Sequence, residues 1–464
     1  MKLALVRCSD TEVSRETNVT GLYPPLGLAY LAGYVQAGGH EVVILDGDAP
    51  RRPAAALVAE VPSDVDLIGL TSTSLGWPAV QRAAPLFRER FPTVPLIVGG
   101  PQVTAFPRET IEHSVFDLGV IGDGEITLER SLERIASGES LAGLPGTVWR
   151  EGDDIRVDHA VPWCKDIDAL PMPALELLPI DRYTSVVMRQ PYVAMLASRG
   201  CPYRCSFCSQ IYTGDSFRTN SPQRVLEEMV RAEEVFGARE IVLFDETFGA
   251  RRREALEICE QITRRGLKFR WNARTRIDLL DRELLRAMRG AGCHLLHLGI
   301  ESGTQRILDQ MQKKIRLEQI TQVVHDAKSM GYQLHGYFML GYPGEREEEM
   351  RRTMAFSREL PLDWASYTIT IPNPRTLLQK QAEQEGLIDP EFWQRFVAGA
   401  TDGSIPYVAA KKFGTAKLEA LKREAYLRFY LRPGTLWRQT DFVRRTGGWR
   451  RLADAGMLLL REVI

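Results

Sequence analysis

The sequence predicts an α/β protein with two parallel sheets in succession, and three observations carry that expectation. Over residues 1–165, short apolar runs alternate with stretches of helical periodicity. Between residues 141 and 195 the rhythm breaks, and from about Tyr192 to Ile371 it resumes. The apolar runs are continuous rather than alternating, as strands buried on both faces require.

In the first stretch, Lys2–Arg7, Glu41–Asp46, Leu67–Leu70 and Pro95–Gly100 read as strands, and Leu26–Ala37 and Pro78–Phe91 as helices. Strands ending in Gly-Gly or Ser/Thr place pliant polar loops at the carboxyl edge, where open α/β sheets bind ligands. Trp149–Val157 reads as a charged hairpin, and Leu170-Pro171-Met172-Pro173 with Pro179 as a linker without room for long helices. Strands are then expected at Val193–Ala197, Glu240–Phe244, Phe269–Ala273, His294–Ile300, Leu334–Leu340 and Ala365–Ile371, with helices such as Gln223–Phe236 between them. Six such units predict a partial (β/α)6 barrel, with function at the carboxyl ends of its strands.

Composition narrows the function classes. The chain has 464 residues, enough for two or three domains, and the segments read as 1–165, a linker at 166–190, a barrel at 191–400 and an extension at 401–464. Lys plus Arg number 59 against 60 for Asp plus Glu, a balance that predicts neither a nucleic-acid nor a membrane partner. From Lys411 onward 13 Lys or Arg face 5 Asp or Glu, and Lys417–Tyr430 reads as a basic packing helix of a short C-terminal helical extension. The N-terminus reaches Arg7 after four apolar residues, too few for a secretion signal, and the seven cysteines fit a reducing cytoplasm with thiol or metal chemistry. Cys8, Cys164, Cys259 and Cys293 sit in apolar surroundings and read as small core residues. His335 falls on a strand as a core histidine or a substrate contact.

The strongest chemical signal is Ser198-Arg199-Gly200-Cys201-Pro202-Tyr203-Arg204-Cys205-Ser206-Phe207-Cys208. Three thiols lie within eight residues, between an apolar strand and a long helix. Such a loop can wrap one iron–sulfur cluster and, with no fourth cysteine nearby, leave one iron open. A structural zinc site wants four ligands, and the nearest downstream histidine is His294.

The spacing Cys-x3-Cys-x-aromatic-Cys resembles the signature of the radical S-adenosylmethionine superfamily. The resemblance implies a 4Fe-4S cluster on Cys201, Cys205 and Cys208, with S-adenosylmethionine chelating the open iron and Phe207 beside its adenine. It implies reductive cleavage to a 5′-deoxyadenosyl radical, fed by an external one-electron donor such as flavodoxin or ferredoxin. Phe244-Asp245-Glu246-Thr247-Phe248 ends the second strand, where the family presents a group to the methionine ammonium. Asp245 and Glu246 are thus candidates there, with a helix N-cap as the alternative. Arg276, Glu301 and Ser302 end the third and fourth strands, where the family contacts ribose and carboxylate, and Arg276 with Glu301 could equally be a structural ion pair. Gly336-Tyr337-Phe338-Met339-Leu340-Gly341 resembles the fifth-strand motif, in which Gly341 would let the backbone approach adenine. Arg375 stands where relatives commonly show a glycine and would extend a cation toward the barrel mouth.

Pro24 to Val42, Thr71 to Ser74, Val98 to Thr104 and Gly122 to Glu125 resemble the Rossmann-like, cobalamin-binding-type domain that precedes many of these enzymes. The axial-ligand pattern Asp-x-His-x-x-Gly is absent at both His40 and His113, which leaves cobalamin open. Size and layout are similar to aminoglycoside radical diol dehydratases. The expectation is radical dehydration of a small polyol or aminosugar in antibiotic biosynthesis, with Asp245, Glu246 and Arg375 as catalytic candidates. The alternatives are cobalamin-dependent C-methylation and a non-catalytic zinc module.

Overall fold

The computed structural model describes residues 1–9, 22–49, 51–185, 187–209, 217–432 and 434. The extension beyond Gly434 lies outside the described residues. Two compact units emerge: Met1–Thr184 with Ser209–Arg218 and Pro390–Ser404, and Ser185–Cys208 with Thr219–Asp389 and the residues from Ile405 on.

The first unit is a seven-stranded sheet of β1 (Lys2–Arg7), β2 (Glu41–Asp46), β3 (Leu67–Thr71), β4 (Leu96–Gly99), β5 (Leu118–Val120), β6 (Thr147–Glu151) and β7 (Asp154–Val157), in the order 2-1-3-4-5-6-7. The first five strands are parallel and the hairpin adds an antiparallel edge. The sequence missed β5, whose three residues are too few for a pattern. Leu3, Ala4, Leu67, Ile68 and Val98 are buried, which accounts for the continuous apolar runs. At the carboxyl edge Arg7 grips Asp46 through Nε and Nη2, both at 2.7 Å, and the Tyr183 hydroxyl donates to Asp46 at 2.7 Å. Helix Phe392–Val397 belongs to this unit as well. The Trp77 indole N–H donates to the Val397 carbonyl at 2.9 Å, and Trp393 stacks on Phe106.

The second unit is built on β8 (Tyr192–Met195), β9 (Ser198–Arg199), β10 (Arg218–Thr219, of which Thr219 falls in this unit), β11 (Glu240–Leu243), β12 (Trp271–Thr275), β13 (Cys293–Glu301), β14 (Gln333–Leu340) and β15 (Trp364–Ile369). Six of these form one all-parallel sheet in the order 8-11-12-13-14-15, a partial barrel that does not close. Helices with apolar stripes wrap its outside. Helix Arg282–Gly290 is one, started by Asp281, whose carboxylate accepts the Leu284 N–H at 2.9 Å. Helix Thr415–Tyr430, expected from Lys417, packs against β15, where the Tyr426 and Tyr430 hydroxyls accept the Tyr367 and Ala365 N–H groups.

Candidate functional site

The cysteine loop follows β8 and β9, at the carboxyl end of the barrel. Gly200 turns the chain at φ 87°, a conformation that glycine adopts without a Cβ penalty. The three thiols are unpaired by disulfides; Cys201 and Cys205 are half-buried and Cys208 is exposed. Among the described residues no three His, Cys, Asp or Glu side chains converge on one ion-sized point. Polar hydrogens already face the sulfurs. The Tyr203 N–H donates to Cys201, and Arg276 Nη1 lies 3.2 Å from Cys205 Sγ. Burial outweighs the Tyr203 donor and pushes the Cys201 thiol up, while donors of this kind tune a bound cluster. Three cysteines outside any disulfide, two of them facing N–H donors, fit a 4Fe-4S cluster with one uncoordinated iron.

Ser206 locks the loop to the barrel. Its N–H donates to the Met311 carbonyl at 3.0 Å, its carbonyl accepts from Leu378 at 2.8 Å, and its hydroxyl meets the Tyr342 hydroxyl at 2.7 Å. Phe207 packs with Met339 onto the cluster of Ile307, Met311, Tyr342 and Leu378. Lys313 Nζ lies 5.8 Å from the Phe207 ring centre, so the expected adenine neighbour has an apolar bed and a cation over its face.

The adjacent carboxylates at the end of β11 separate. Asp245 is buried and accepts the Ala197 N–H at 2.8 Å and the Ser198 hydroxyl. Burial nonetheless pushes its carboxyl up to about 7. It ties β11 to the lead-in of the cysteine loop rather than capping a helix. Glu246 is exposed. Its carboxylate accepts the Gly200 N–H and feels Arg274 and Arg199, yet the surrounding protein still raises its pKa. Of the two, Glu246 is the one that faces the loop.

Arg276 and Glu301 do not pair with each other. Arg276 binds Asp278 at 2.9 and 3.1 Å and the Lys313 carbonyl at 2.6 Å, and stacks 3.9 Å from the Tyr203 ring centre. Glu301 follows an irregularity in the β13–β14 register, stands at φ 68° and accepts Lys313 Nζ at 2.6 Å. Lys313, Asp278, Tyr203 and Ser206 are thus site residues that sequence reasoning missed. Ser206 and Tyr203 lie inside the motif, but Lys313 reaches the site through a left-handed turn that no periodicity foretells.

The remaining candidates have partners of their own. Ser302 is fully buried, its hydroxyl 3.2 Å from Thr353 Oγ1 and accepting the Thr304 N–H. Gly341 has φ 78° and donates its N–H to Glu345 at 2.6 Å; a Cβ there would meet Ala409 and Leu418 side chains, not an open cradle. Arg375 is exposed at φ 58°, its N–H bound to Gln379 Oε1 at 2.6 Å. The backbone there is one that glycine adopts readily. His335 is buried with Nε2 2.9 Å from the Ser366 hydroxyl, and burial takes it down to about 3. Cys8, Cys259 and Cys293 are buried, whereas Cys164 is not a core residue: it is half-buried and donates to the Asp166 carbonyl at 3.2 Å.

In the first unit the carboxyl edge offers small and neutral polar groups: Ser72, Thr73, Gly99, Gly100 and Thr104, whose hydroxyl accepts the Gly122 N–H at 2.9 Å. His40 lies at the opposite edge, 3.3 Å from the Met1 amino group, and His113 ends a helix that leads back into β5. Neither can serve as an axial ligand at the carboxyl edge, so a corrin held there would be bound without them.

Together, a loop of three available thiols at the mouth of a parallel partial barrel, preceded by a Rossmann-like unit, defines a thiol-ligated iron–sulfur enzyme. The chain matches the radical SAM superfamily over residues 195–357 and the B12 binding domain over residues 16–132. It is 32% identical over 440 residues to an uncharacterized methyltransferase of Pyrococcus horikoshii, covering 94% of each chain. It is 26% identical to the cytidylyl-2-hydroxyethylphosphonate methyltransferase of Streptomyces wedmorensis over 79% of both chains. It is 27% identical to the anaerobic magnesium-protoporphyrin IX monomethyl ester cyclase of Rubrivivax gelatinosus over 80% of this chain and 69% of that one. Among solved structures, the radical S-adenosylmethionine methyltransferase TsrM of Kitasatospora setae, with cobalamin and a [4Fe-4S] cluster bound, superposes with TM-score 0.68 at 18% identity, over 84% of this chain and 76% of that one. The chain belongs to the radical SAM superfamily, in the group that carries a B12-binding domain. The dehydratase expectation gains no support from these relatives, and the zinc-module alternative gives way to the family. Among the described residues no helix is long and apolar enough to cross a membrane.

Proposed function

We propose that this chain is a cobalamin-dependent radical S-adenosylmethionine methyltransferase acting on a small molecule, in place of the dehydratase expected from size and layout. One observation carries the reading: the 32% identity to a methyltransferase runs through 94% of both chains, so both domains and their connections are shared. When bound, the cluster supplies an electron to the sulfonium and cobalamin carries the methyl group.

The chain's own residues do the rest. Cys201, Cys205 and Cys208 hold the cluster, and Ser206 fixes their loop on the barrel. Glu246, with its carboxylate at the loop and a raised pKa, receives a cationic amino group by a charge-assisted bond. The Lys313–Glu301 and Arg276–Asp278 pairs fix two cations against the loop, at Phe207 and at Cys205 with Tyr203. Asp245 positions the loop rather than reacting.

The test is an anaerobic assay of the reconstituted protein with reductant and S-adenosylmethionine, with and without added cobalamin. The expected result is S-adenosylhomocysteine whose formation depends on cobalamin. Deoxyadenosine alone, indifferent to cobalamin, would overturn methyl transfer while leaving radical chemistry standing.

A further inference from the structure

The amino ends of the barrel strands present charges that the chemistry above does not use. A hollow of about 300 Å³ is lined there by Arg189, Arg239, Lys268 and Arg270, with Phe269 at its side and Glu233 as its one carboxylate. Arg189, Arg239 and Lys268 are exposed, and among the described residues none of the three has an ion-pair partner. What sets these three apart is convergence: they line one hollow together with a fourth cation, Arg270.

The buried carboxylate behind the hollow cannot balance them. Glu240 is already saturated by Asn272 Nδ2 and His294 Nε2 at 2.8 Å, the Arg189 N–H at 3.0 Å and Arg270 Nε at 3.3 Å. Arg270 registers the crowding: burial and the repulsion of Arg189 and Arg289 lower its affinity for its proton.

We infer that this hollow is a binding site for a small phosphoryl anion, a diphosphate or a phosphate ester of a compact body. Guanidinium groups meet phosphoryl oxygens in a two-pronged geometry, and a multiply charged anion relieves several repulsions at once. The volume lies at the small end of ligand pockets, which favours a compact ligand over a broad acidic protein surface. The site lies at the ends of the strands opposite the cysteine loop, so it is independent of the methyl-transfer reading.

Inorganic pyrophosphate is the probe, titrated calorimetrically into the full, reconstituted chain at constant ionic strength, with chloride as the control. Saturable one-to-one binding is expected, weakened about a hundredfold in the Arg239→Ala/Lys268→Ala variant, roughly tenfold per lost charge-assisted contact. Arg239→Lys should recover part of it. Deoxyadenosine formation should be the same in variant and parent. Absence of saturation at roughly millimolar pyrophosphate, where specific small-anion binding would register, overturns the site, as does equal affinity in the double variant. Capture on phosphatidylglycerol vesicles that needs the same residues, without response to pyrophosphate, would assign the hollow to a lipid headgroup and overturn the soluble ligand.

Discussion

The two ends of strand β11 carry carboxylates five residues apart with opposite fates. Glu240, at the amino end, is fully buried but meets four donors, and its pKa stays below the ordinary range because His294 and its other hydrogen bonds outweigh burial. Asp245, at the carboxyl end, is also buried but has two external donors and is pushed up to about 7. At the floor both oxygens of the Glu240 carboxylate are matched. The mouth is under-compensated, and next to it stands the accessible Glu246. A fully compensated buried carboxylate such as Glu240 serves stability, whereas an under-compensated one such as Asp245 stands beside the site.

That contrast can be broken or sharpened by substitution. The largest effect on chemistry is expected from Cys205→Ala, which should lose the iron–sulfur absorbance and all deoxyadenosine formation while its circular dichroism stays like the parent's. The largest effect on stability is expected from Glu240→Gln at the floor. Breaking one member of a buried charged network costs about 3–5 kcal/mol, read as a fall in melting temperature, with S-adenosylmethionine affinity unchanged.

Glu246→Gln should reverse that pattern. Loss of a charge-assisted bond of about 1.5–3 kcal/mol weakens S-adenosylmethionine binding roughly ten- to hundredfold, with little change in melting. Because its pKa is raised, activity of the parent should fall on acidification at a higher pH than an ordinary carboxylate would give.

Asp245 makes a pH signature. Its folded pKa lies above its unfolded value, so its contribution to stability is full below about pH 4 and is lost as pH rises through about 7. Asp245→Asn removes that dependence. The melting temperature of the variant minus that of the parent should rise between pH 4 and pH 7. A flat difference would show that Asp245 is not the strained member of the pair. The smallest effect is at Arg375: Arg375→Gly should stabilise by about 1 kcal/mol, because φ 58° costs an arginine and not a glycine. Unchanged turnover in that variant would remove the guanidinium from the catalytic candidates.

Much of this was legible in the sequence. β1 and β2 and helix Leu26–Ala37 fall where the apolar runs place them, because strands buried on both faces leave an unbroken signal. The cysteine loop was legible because its three ligands are local. What escaped were contacts set by tertiary geometry. The partners of Arg276 and Glu301 depend on the register irregularity after Gly299 and on the turn that delivers Lys313. Ser302 follows β13 directly, yet it bonds to helix Glu347–Glu359 rather than facing the loop. The assignment of a strand end by pattern does not say to which side the next residue points. The choice between Asp245 and Glu246 was equally hidden, since both follow the end of β11 in a loop whose direction no periodicity sets.

The most direct measurement is reductive cleavage by the chain itself. The full protein, reconstituted anaerobically with iron and sulfide, is reduced with dithionite and given S-adenosylmethionine. The account predicts a brown protein with about four irons, one cluster's worth, that releases 5′-deoxyadenosine. A colourless protein that leaves the sulfonium intact would contradict it.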